Sequence, residues 1–245
     1  MSNLYQEMKE NLDKLHQIRT SITPFTHEAR RILREEVQKI ESNRDLSSEG
    51  QSKQKELLRK DFGKKVLEQA GKLKQEYKEA TVKAGVRAEM LLNEGPKKPD
   101  QQSLTSFERS FSSLKTELLL ETNADTALRK INEFVGGQND PYLASQILND
   151  FSHVIQSVLD AAGDAKGKYK ISLQDTLEKI RSNATSVEQK EAAEVYELMK
   201  TEFSKDLFLV NGIEFKAIQS DLGPDIANHL NNPSEYLARL EATEE

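Results

Sequence analysis

Residues 51–93 read QSKQKELLRKDFGKKVLEQAGKLKQEYKEATVKAGVRAEMLLN, a stretch without a proline. It is interrupted only by single glycines at positions 63, 71 and 85. Just upstream, Ser48 and Gln51 have the spacing of a capping box, which marks the start of a helix. The sequence therefore predicts one helix of about 45 residues that ends at Asn93, and at 1.5 Å per residue it would be roughly 70 Å long.

Within this helix, apolar and small residues recur at steps of four and three. The six positions are Val66, Ala70, Leu73, Tyr77, Ala80 and Ala84. This spacing has the 3.5-residue period of a coiled-coil seam, which favours packing against another helix. We predict that the seam is an interaction site. Its partner could be a helix of the same chain in a helical hairpin or bundle, or a second chain in a coiled coil. The third alternative is a helix surrounded by solvent.

Two shorter helices are predicted before the long one. The first carries an apolar stripe and ends before Pro24, because proline interrupts a helix. The second extends from about Thr26 to Ser42 and Asn43. The stripes consist of Leu4, Met8, Leu12, Leu15 and Ile18 in the first helix and of Ile32, Leu33, Val37 and Ile40 in the second.

A linker is predicted directly after the long helix. Gly95, Pro96 and Pro99 follow it closely, and glycine commonly ends a helix that proline cannot continue. We therefore divide the chain into a long-helix region at 1–94, a linker at 95–102 and a compact helical domain at 103–245. The aromatic residues agree with this division, since 4 lie in residues 1–100 and 11 in residues 101–245.

The second half has the apolar periodicity of several helices. Asp140 and Pro141 combine an N-cap with proline at the first helical position, and predict a helix that continues to about Ala162. Further helices are predicted at 107–118, 128–135, 173–180 and 192–203. This is enough apolar material for a core of five or six helices, so the predicted fold class is all-α.

Residues 207–215, LFLVNGIEF, differ from the rest of the second half. Asn-Gly between β-branched and aromatic residues is typical of a two-residue hairpin turn, so we predict a small β-hairpin here. Its free edge would allow another chain to add a strand. The alternative is a helix that ends at Gly212 in the left-handed conformation, followed by a new helix.

The composition excludes several classes of protein. The chain has no Cys, which excludes a disulfide scaffold, a Cys-based zinc site and a thiol nucleophile. No apolar run approaches the length of a membrane span, and the N-terminus is too charged for a signal peptide. We therefore expect no membrane contact and a cytoplasmic location, or a particle assembled in the cytoplasm.

Charge is distributed unevenly along the chain. Residues 1–100 carry 21 Lys and Arg against 17 Asp and Glu, a net of +4, while residues 101–245 carry 14 against 24, a net of -10. Opposite charges on the two halves favour head-to-tail contacts between copies. Residues 51–90 alone carry 11 basic and 6 acidic side chains. They provide the alternative function, a nucleic-acid-associated protein that uses this basic face.

Motifs for catalysis or cofactor binding are not found. Gly163–Lys168 has three residues between its glycines where a phosphate-binding loop has four. Tyr169 follows it in place of the Ser or Thr that binds magnesium. The four histidines are too far apart in sequence for a metal-binding motif. We expect no cofactor, no metal site and no enzymatic activity.

Residues 35–69 combine a charged helix, the turn Asn43–Gly50 and a Lys-rich helix. In this arrangement they resemble small helical proteins encoded among the head and tail genes of tailed bacteriophages. The resemblance implies a virion or morphogenesis role, as a scaffold, head-completion, tail-associated or internal protein. Together with the seam and the divided charge, it leads us to expect a structural protein that forms homo-oligomers or binds other structural proteins.

Overall fold

The chain is helical in all its regular elements. A computed structural model describes residues 2–244, and within this range it contains no β-strand, so the predicted all-α class is confirmed. None of the described helices is long and apolar enough to cross a membrane. The α-helices of this range are α1 (Asn3–Ser42), α2 (Ser48–Asn93), α3 (Gln101–Leu119), α4 (Ala124–Gly136), α5 (Pro141–Ala161), α6 (Lys166–Ala184), α7 (Val187–Glu202), α8 (Ile213–Leu222), α9 (Pro224–Asn228) and α10 (Pro233–Glu244).

The predicted break at Pro24 is wrong, because α1 continues through this residue. Proline has no N–H to donate to the carbonyl of Thr20, which therefore needs another partner. Thr20 and Pro24 both lie on the exposed side of α1, where water can bind that carbonyl. On the opposite side, Ile18 and Ile22 are buried, and their packing holds the helix together across the proline.

The long helix α2 is confirmed, with 46 residues from Ser48 to Asn93. Ser47 caps it, since its hydroxyl accepts a hydrogen bond from the Gly50 N–H. Ion pairs join α1 to α2 at both ends, between Glu41 and Lys55 near the connecting turn and between Glu7 and Arg87 at the far end. The two helices therefore run in opposite directions.

The chain forms two compact units whose limits differ from the predicted boundary. One, the N/C unit, combines Met1–Glu89 with Glu194–Glu245, and the other, the middle unit, is Met90–Ala193. The prediction of a single compact domain at 103–245 is therefore wrong. Its last part packs with the N-terminal helices, and the middle unit is inserted between the two parts of the N/C unit.

Apolar contacts explain why the C-terminal segment belongs to the N/C unit. The ring of Phe208 is fully buried and packs edge-on against Phe25 of α1. The side chain of Ile226 in α9 lies so close to Gly63 of α2 that a Cβ at position 63 would be 2.7 Å from its terminal methyl group. The aromatic and aliphatic residues of the second half thus complete a core for the long helices of the first half.

The middle unit has its own core, formed by α3 to α6. Its centre consists of the fully buried side chains of Leu118, Ile131, Val135, Ile147, Val158 and Ile180. The predicted helix starting at Pro141 is confirmed, with Asp140 as its N-cap. The side-chain amide of Gln189 donates to the carbonyl of Glu94 at 2.7 Å, so the two ends of this unit lie side by side.

The β-hairpin predicted at residues 207–215 is wrong. Of its alternative, the new helix after Gly212 is present, but no helix ends at Gly212. α7 ends at Glu202, and α8 begins at Ile213 with Gly212 as its N-cap. A hairpin turn of type I′ needs positive φ at both central residues, but the positive φ of 65° here belongs to Asn211, and Gly212 has φ −65°. The chain therefore turns once and continues as a helix.

Candidate protein-interaction surface

The six predicted seam residues are mostly buried within the chain itself. Val66, Ala70, Tyr77, Ala80 and Ala84 are each 3% exposed or less, and Leu73 is half-buried. Helices of the N/C unit cover them, as the contacts of Tyr77 with α1 and α7 illustrate. A surface that is available to a partner must therefore lie elsewhere.

The opposite charges of the two halves also meet within the N/C unit. Residues 1–89 carry 19 Lys and Arg against 15 Asp and Glu, and residues 194–245 carry 4 against 11. Ion pairs connect these two segments directly: Arg19 with Glu202, Arg30 with Asp221, and Lys74 with Asp206. Each unit then has a net charge of -3, from 23 basic and 26 acidic residues in the N/C unit and 12 and 15 in the middle unit.

A buried carboxylate lies at the centre of these contacts. Glu202 is 4% exposed, and its carboxylate accepts hydrogen bonds from Arg19, from the Tyr77 hydroxyl at 2.6 Å and from Lys205 at 2.6 Å. Burial favours a higher pKa, but the hydrogen bonds from Lys205 and Tyr77 and the charge of Arg19 hold the pKa of Glu202 below its usual value. The group is thus ionised and fully engaged, as in a structural ion cluster.

The basic face of α2 is partly used by the chain itself. Lys55, Lys74 and Arg87 form ion pairs with other helices or loops of the N/C unit. Burial lowers the pKa of Lys74, which also donates to the carbonyl of Lys205 at 3.0 Å. The exposed cations of this face are Lys53, Arg59, Lys60, Lys65, Lys72, Lys78 and Lys83.

A surface hollow of the middle unit lies between α3 and α5. Phe107 and Phe111 form its floor, and Lys115 and Asp150 pair across its edge at 2.8 Å. The hydrogen bond from Lys115 lowers the pKa of Asp150, and His153 adds a second contact. Within the described residues, no group of three or more metal-binding side chains occurs. The segment Gly163–Ala165 is a single 3₁₀ turn that leads into α6.

Among the described residues of the N/C unit, the most exposed large aliphatic side chains lie at the turn between α7 and α8. Leu209, Val210 and Ile213 are 71%, 58% and 85% exposed, and we call residues 209–213 the apolar turn. Single exposed aliphatic residues are common on proteins, whereas three within five residues of one turn are a local concentration of exposed apolar surface. Exposed apolar patches commonly mark binding surfaces.

Buried neighbours hold the apolar turn on both sides. Before it, Phe208 is buried, and the side-chain amide of Asn231 bonds both the N–H and the carbonyl of Phe208, at 2.9 and 2.7 Å. After it, Glu214 accepts a 2.6 Å hydrogen bond from Thr23 of α1, and Phe215 is buried. The exposed side chains are thus presented by a backbone that is fixed in advance, which lowers the entropic cost of binding.

The backbone of the turn is also specified locally. The N–H of Gly212 donates to the carbonyl of Leu209 at 2.8 Å, and Asn211 has φ 65° at the third position, as in a type II turn. A Cβ at position 212 would be 2.9 Å from the Leu209 oxygen, so glycine is required by this close approach. The apolar run at 207–215 was recognised from the sequence, but it was predicted to form a β-hairpin. Asn-Gly is itself the preferred pair for a type I′ turn, so the local sequence offered no signal against the hairpin.

Comparisons of the chain with known protein families, with curated proteins and with solved structures found no match. Of the candidate surfaces, the seam and the opposite charges are used inside the N/C unit, whereas the apolar turn presents aliphatic side chains to the solvent.

Proposed function

We propose that the protein is a non-enzymatic structural or assembly protein, and that it binds protein partners through the apolar turn at residues 209–213. The single observation that carries the proposal is the exposure of Leu209, Val210 and Ile213 on a backbone that is anchored on both sides. Complete burial of a Val, Leu or Ile side chain contributes about 1.5–3 kcal/mol. Covering the exposed fractions of these three side chains would therefore contribute roughly 3–6 kcal/mol before the costs of association.

The setting of this function is the assembly of a particle. The resemblance of residues 35–69 to phage head and tail proteins supports a virion or morphogenesis role, with the cytoplasm as the place of assembly. The partners are further copies of the chain in a homo-oligomer or other structural proteins of the particle. The anchored turn supports this part of the proposal, because rigid apolar projections fit permanent contacts between subunits.

A photo-crosslinking experiment in the native cell tests the proposal. A photoreactive amino acid at Val210 should form covalent adducts of one or a few discrete masses, because a bound partner covers this position. Gln38, which is exposed on α1, is the matched control position and should give no such adducts. Equal adducts from both positions, or none from position 210, would contradict the proposed contact surface.

The alternative function is nucleic-acid association through the basic face of α2. It is supported by the seven cations of this face that remain exposed. Binding that neutralises several phosphates weakens steeply with salt, so a salt titration of DNA and RNA binding tests it. Retention at low salt that falls with Lys60→Glu and Lys65→Glu, but not with Val210→Asp, would favour the alternative over the apolar turn.

A further inference from the structure

We infer that Asn211 is a site of spontaneous covalent modification, at which the folded chain loses the side-chain amide and gains a carboxylate. The inference goes beyond the proposed function and does not depend on it, because the reaction needs no partner. The reacting groups are the side chain of Asn211, the backbone nitrogen of Gly212 and water.

The residue after Asn211 makes the position reactive. Of the 11 glycines of the chain, only Gly212 follows an asparagine. A side chain on the following residue crowds the backbone nitrogen that must attack the amide, and glycine has no side chain. The turn itself requires this glycine, since a Cβ at position 212 would be 2.9 Å from the Leu209 oxygen. The fold therefore keeps the least hindered nitrogen next to Asn211.

The side-chain amide of Asn211 is open to water. Asn211 is exposed, and among the residues that the structure describes none forms a hydrogen bond with its amide. The amides of Asn183 and Asn231, in contrast, donate to backbone carbonyls at 3.0 and 2.7 Å. An amide held in this way cannot turn toward the main chain without losing a hydrogen bond. At Asn211 this cost is absent.

The backbone nitrogen of Gly212 is held by one hydrogen bond. Its N–H donates to the carbonyl of Leu209 at 2.8 Å. Gly212 is the N-cap of α8, so its N–H lies outside the hydrogen-bonded ladder of the helix. Opening this one bond, at a half-exposed position, frees the N–H while α8 and the buried residues on both sides of the turn stay in place.

The reaction is an intramolecular substitution followed by hydrolysis. Once its proton is lost to hydroxide, the Gly212 nitrogen attacks Cγ of Asn211, so that an N–Cγ bond forms and the Cγ–Nδ2 bond breaks. The leaving nitrogen takes a proton from water and departs as ammonia. The attack is favoured because both groups belong to adjacent residues of one chain. Water then opens the cyclic imide: cleavage of the N–Cγ bond gives aspartate, and cleavage of the original peptide bond gives isoaspartate.

The aspartate product fits the folded turn. Asn211 has φ 65°, and asparagine and aspartate are the non-glycine residues that most readily adopt this conformation. The product adds a negative charge to residues 207–213, which otherwise contain no ionisable side chain. We therefore expect the modified chain to stay folded with a changed surface. A partner that covers the apolar turn would then have to bury a carboxylate, which is unfavourable.

Peptide mapping of the purified chain by mass spectrometry tests the inference. During incubation of the folded chain in mildly alkaline buffer, the peptide that contains Asn211 should become one mass unit heavier, and the conversion should accelerate with pH because the nitrogen must lose its proton. Asn139, which is exposed between α4 and α5 and is followed by Asp140, is the internal control and should remain largely unchanged. Equal conversion at the two positions, or none at Asn211, would overturn the inference.

Incubation in urea separates the effect of the fold from that of the sequence. Conversion of the unfolded chain alone, with the folded chain intact, would overturn the inference, because the turn would then protect Asn211. Gly212→Ala strains the folded turn, so it is compared with the wild type in urea, where it should lose most of the conversion. Equal conversion of the two unfolded chains would overturn the role of the Gly212 nitrogen. These measurements use no partner, so their failure leaves the crosslinking test at Val210 unaffected.

Discussion

The hydroxyl of Tyr77 donates a 2.6 Å hydrogen bond to the carboxylate of Glu202, although the two residues are 125 positions apart in the sequence. This contact joins α2 to the end of α7 within the N/C unit. Both side chains are buried, and Arg19 of α1 contacts both, through a salt bridge to Glu202 and a position above the Tyr77 ring. Side chains from α1, α2 and α7 therefore meet at one carboxylate.

Removing the Tyr77 hydroxyl should destabilise the N/C unit. Tyr77→Phe leaves the ring in place but removes one donor to a buried charge, and we expect a loss of about 1–3 kcal/mol in the free energy of unfolding. Urea unfolding followed by circular dichroism measures it. Tyr196→Phe, at a half-buried position on α7, is the control. Equal stability of Tyr77→Phe and the wild type would mean that the contact contributes nothing.

The same pair predicts how stability depends on pH. Burial raises the pKa of the Tyr77 hydroxyl to about 12, and the hydrogen bond to Glu202 adds to the rise. Because the pKa is higher in the folded state, this contribution is fully present below the unfolded value of about 10 and is lost as pH rises through the folded value. The difference in stability between wild type and Tyr77→Phe should therefore shrink between pH 10 and 12.

At acid pH the effect is reversed: the contribution of Glu202 to stability is lost as pH falls. Its pKa lies below the usual value in the folded state, so its contribution is present above the unfolded pKa of about 4.3 and is lost as pH falls further. Glu202→Gln should therefore be less stable than the wild type at neutral pH, and the two should converge in acid. A constant difference between them at all pH values would contradict this assignment.

The inserted middle unit predicts the behaviour of fragments. Because residues 90–193 have their own core and adjacent ends, this fragment should fold alone and unfold cooperatively. The fragment 103–245 should lose the structure of its C-terminal part, since residues 194–245 pack on α1 and α2. Hydrogen exchange measured on both fragments tests this. Full protection of residues 213–230 in the fragment 103–245 would contradict the division.

Gly63 should be intolerant of a side chain. A Cβ at this position would lie 2.7 Å from the terminal methyl of Ile226, whereas at Gly50 the nearest atom would be 3.4 Å away. Both residues are in α2, where alanine is intrinsically favoured over glycine by about 1 kcal/mol. We expect Gly63→Ala to destabilise by about 1–3 kcal/mol and Gly50→Ala to be neutral or stabilising. Thermal unfolding compares the two, and equal melting temperatures would argue against the close packing of α9 on α2.

Local signals were sufficient to predict the long helix. α2 extends from Ser48 to Asn93, as expected from a segment without proline that is followed by Gly95 and Pro96. The same reasoning failed at Pro24, because packing of one face can hold a helix together across a missing hydrogen bond. Helix propensity is a property of the individual residue, whereas the burial of Ile18 and Ile22 depends on how the rest of the N/C unit packs against α1.

The pairing of distant segments could not be predicted in the same way. The excess of aromatic residues after position 100 suggested a separate core, but Phe208 and Phe215 complete the core of the N-terminal helices. The charge imbalance is matched in part within the chain, where Arg19 and Arg30 bind acidic residues, whereas the sequence alone indicated only contacts between copies. Neither periodicity nor composition contains this long-range information.

In the sequence, the segment of the apolar turn could be recognised only because it differs from the helical segments around it. The run at 207–215 stood out from its helical surroundings, but Asn-Gly is compatible with several turns. Which of its apolar side chains are buried depends on Asn231 and Thr23, which lie far from the turn in sequence. For this reason the exposure of Leu209, Val210 and Ile213 emerged from the structure alone.

Thiol labelling at position 210 tests the central claim, that the apolar turn is the contact surface, most directly. Val210→Cys provides the only thiol of the chain, and Gln38→Cys provides a matched exposed control. We predict that, in the assembled state isolated from the native cell, Val210→Cys reacts with maleimide at least about tenfold more slowly than in the dilute purified chain. Gln38→Cys should react equally fast in both. Equal labelling rates for Val210→Cys in the two states would contradict the claim.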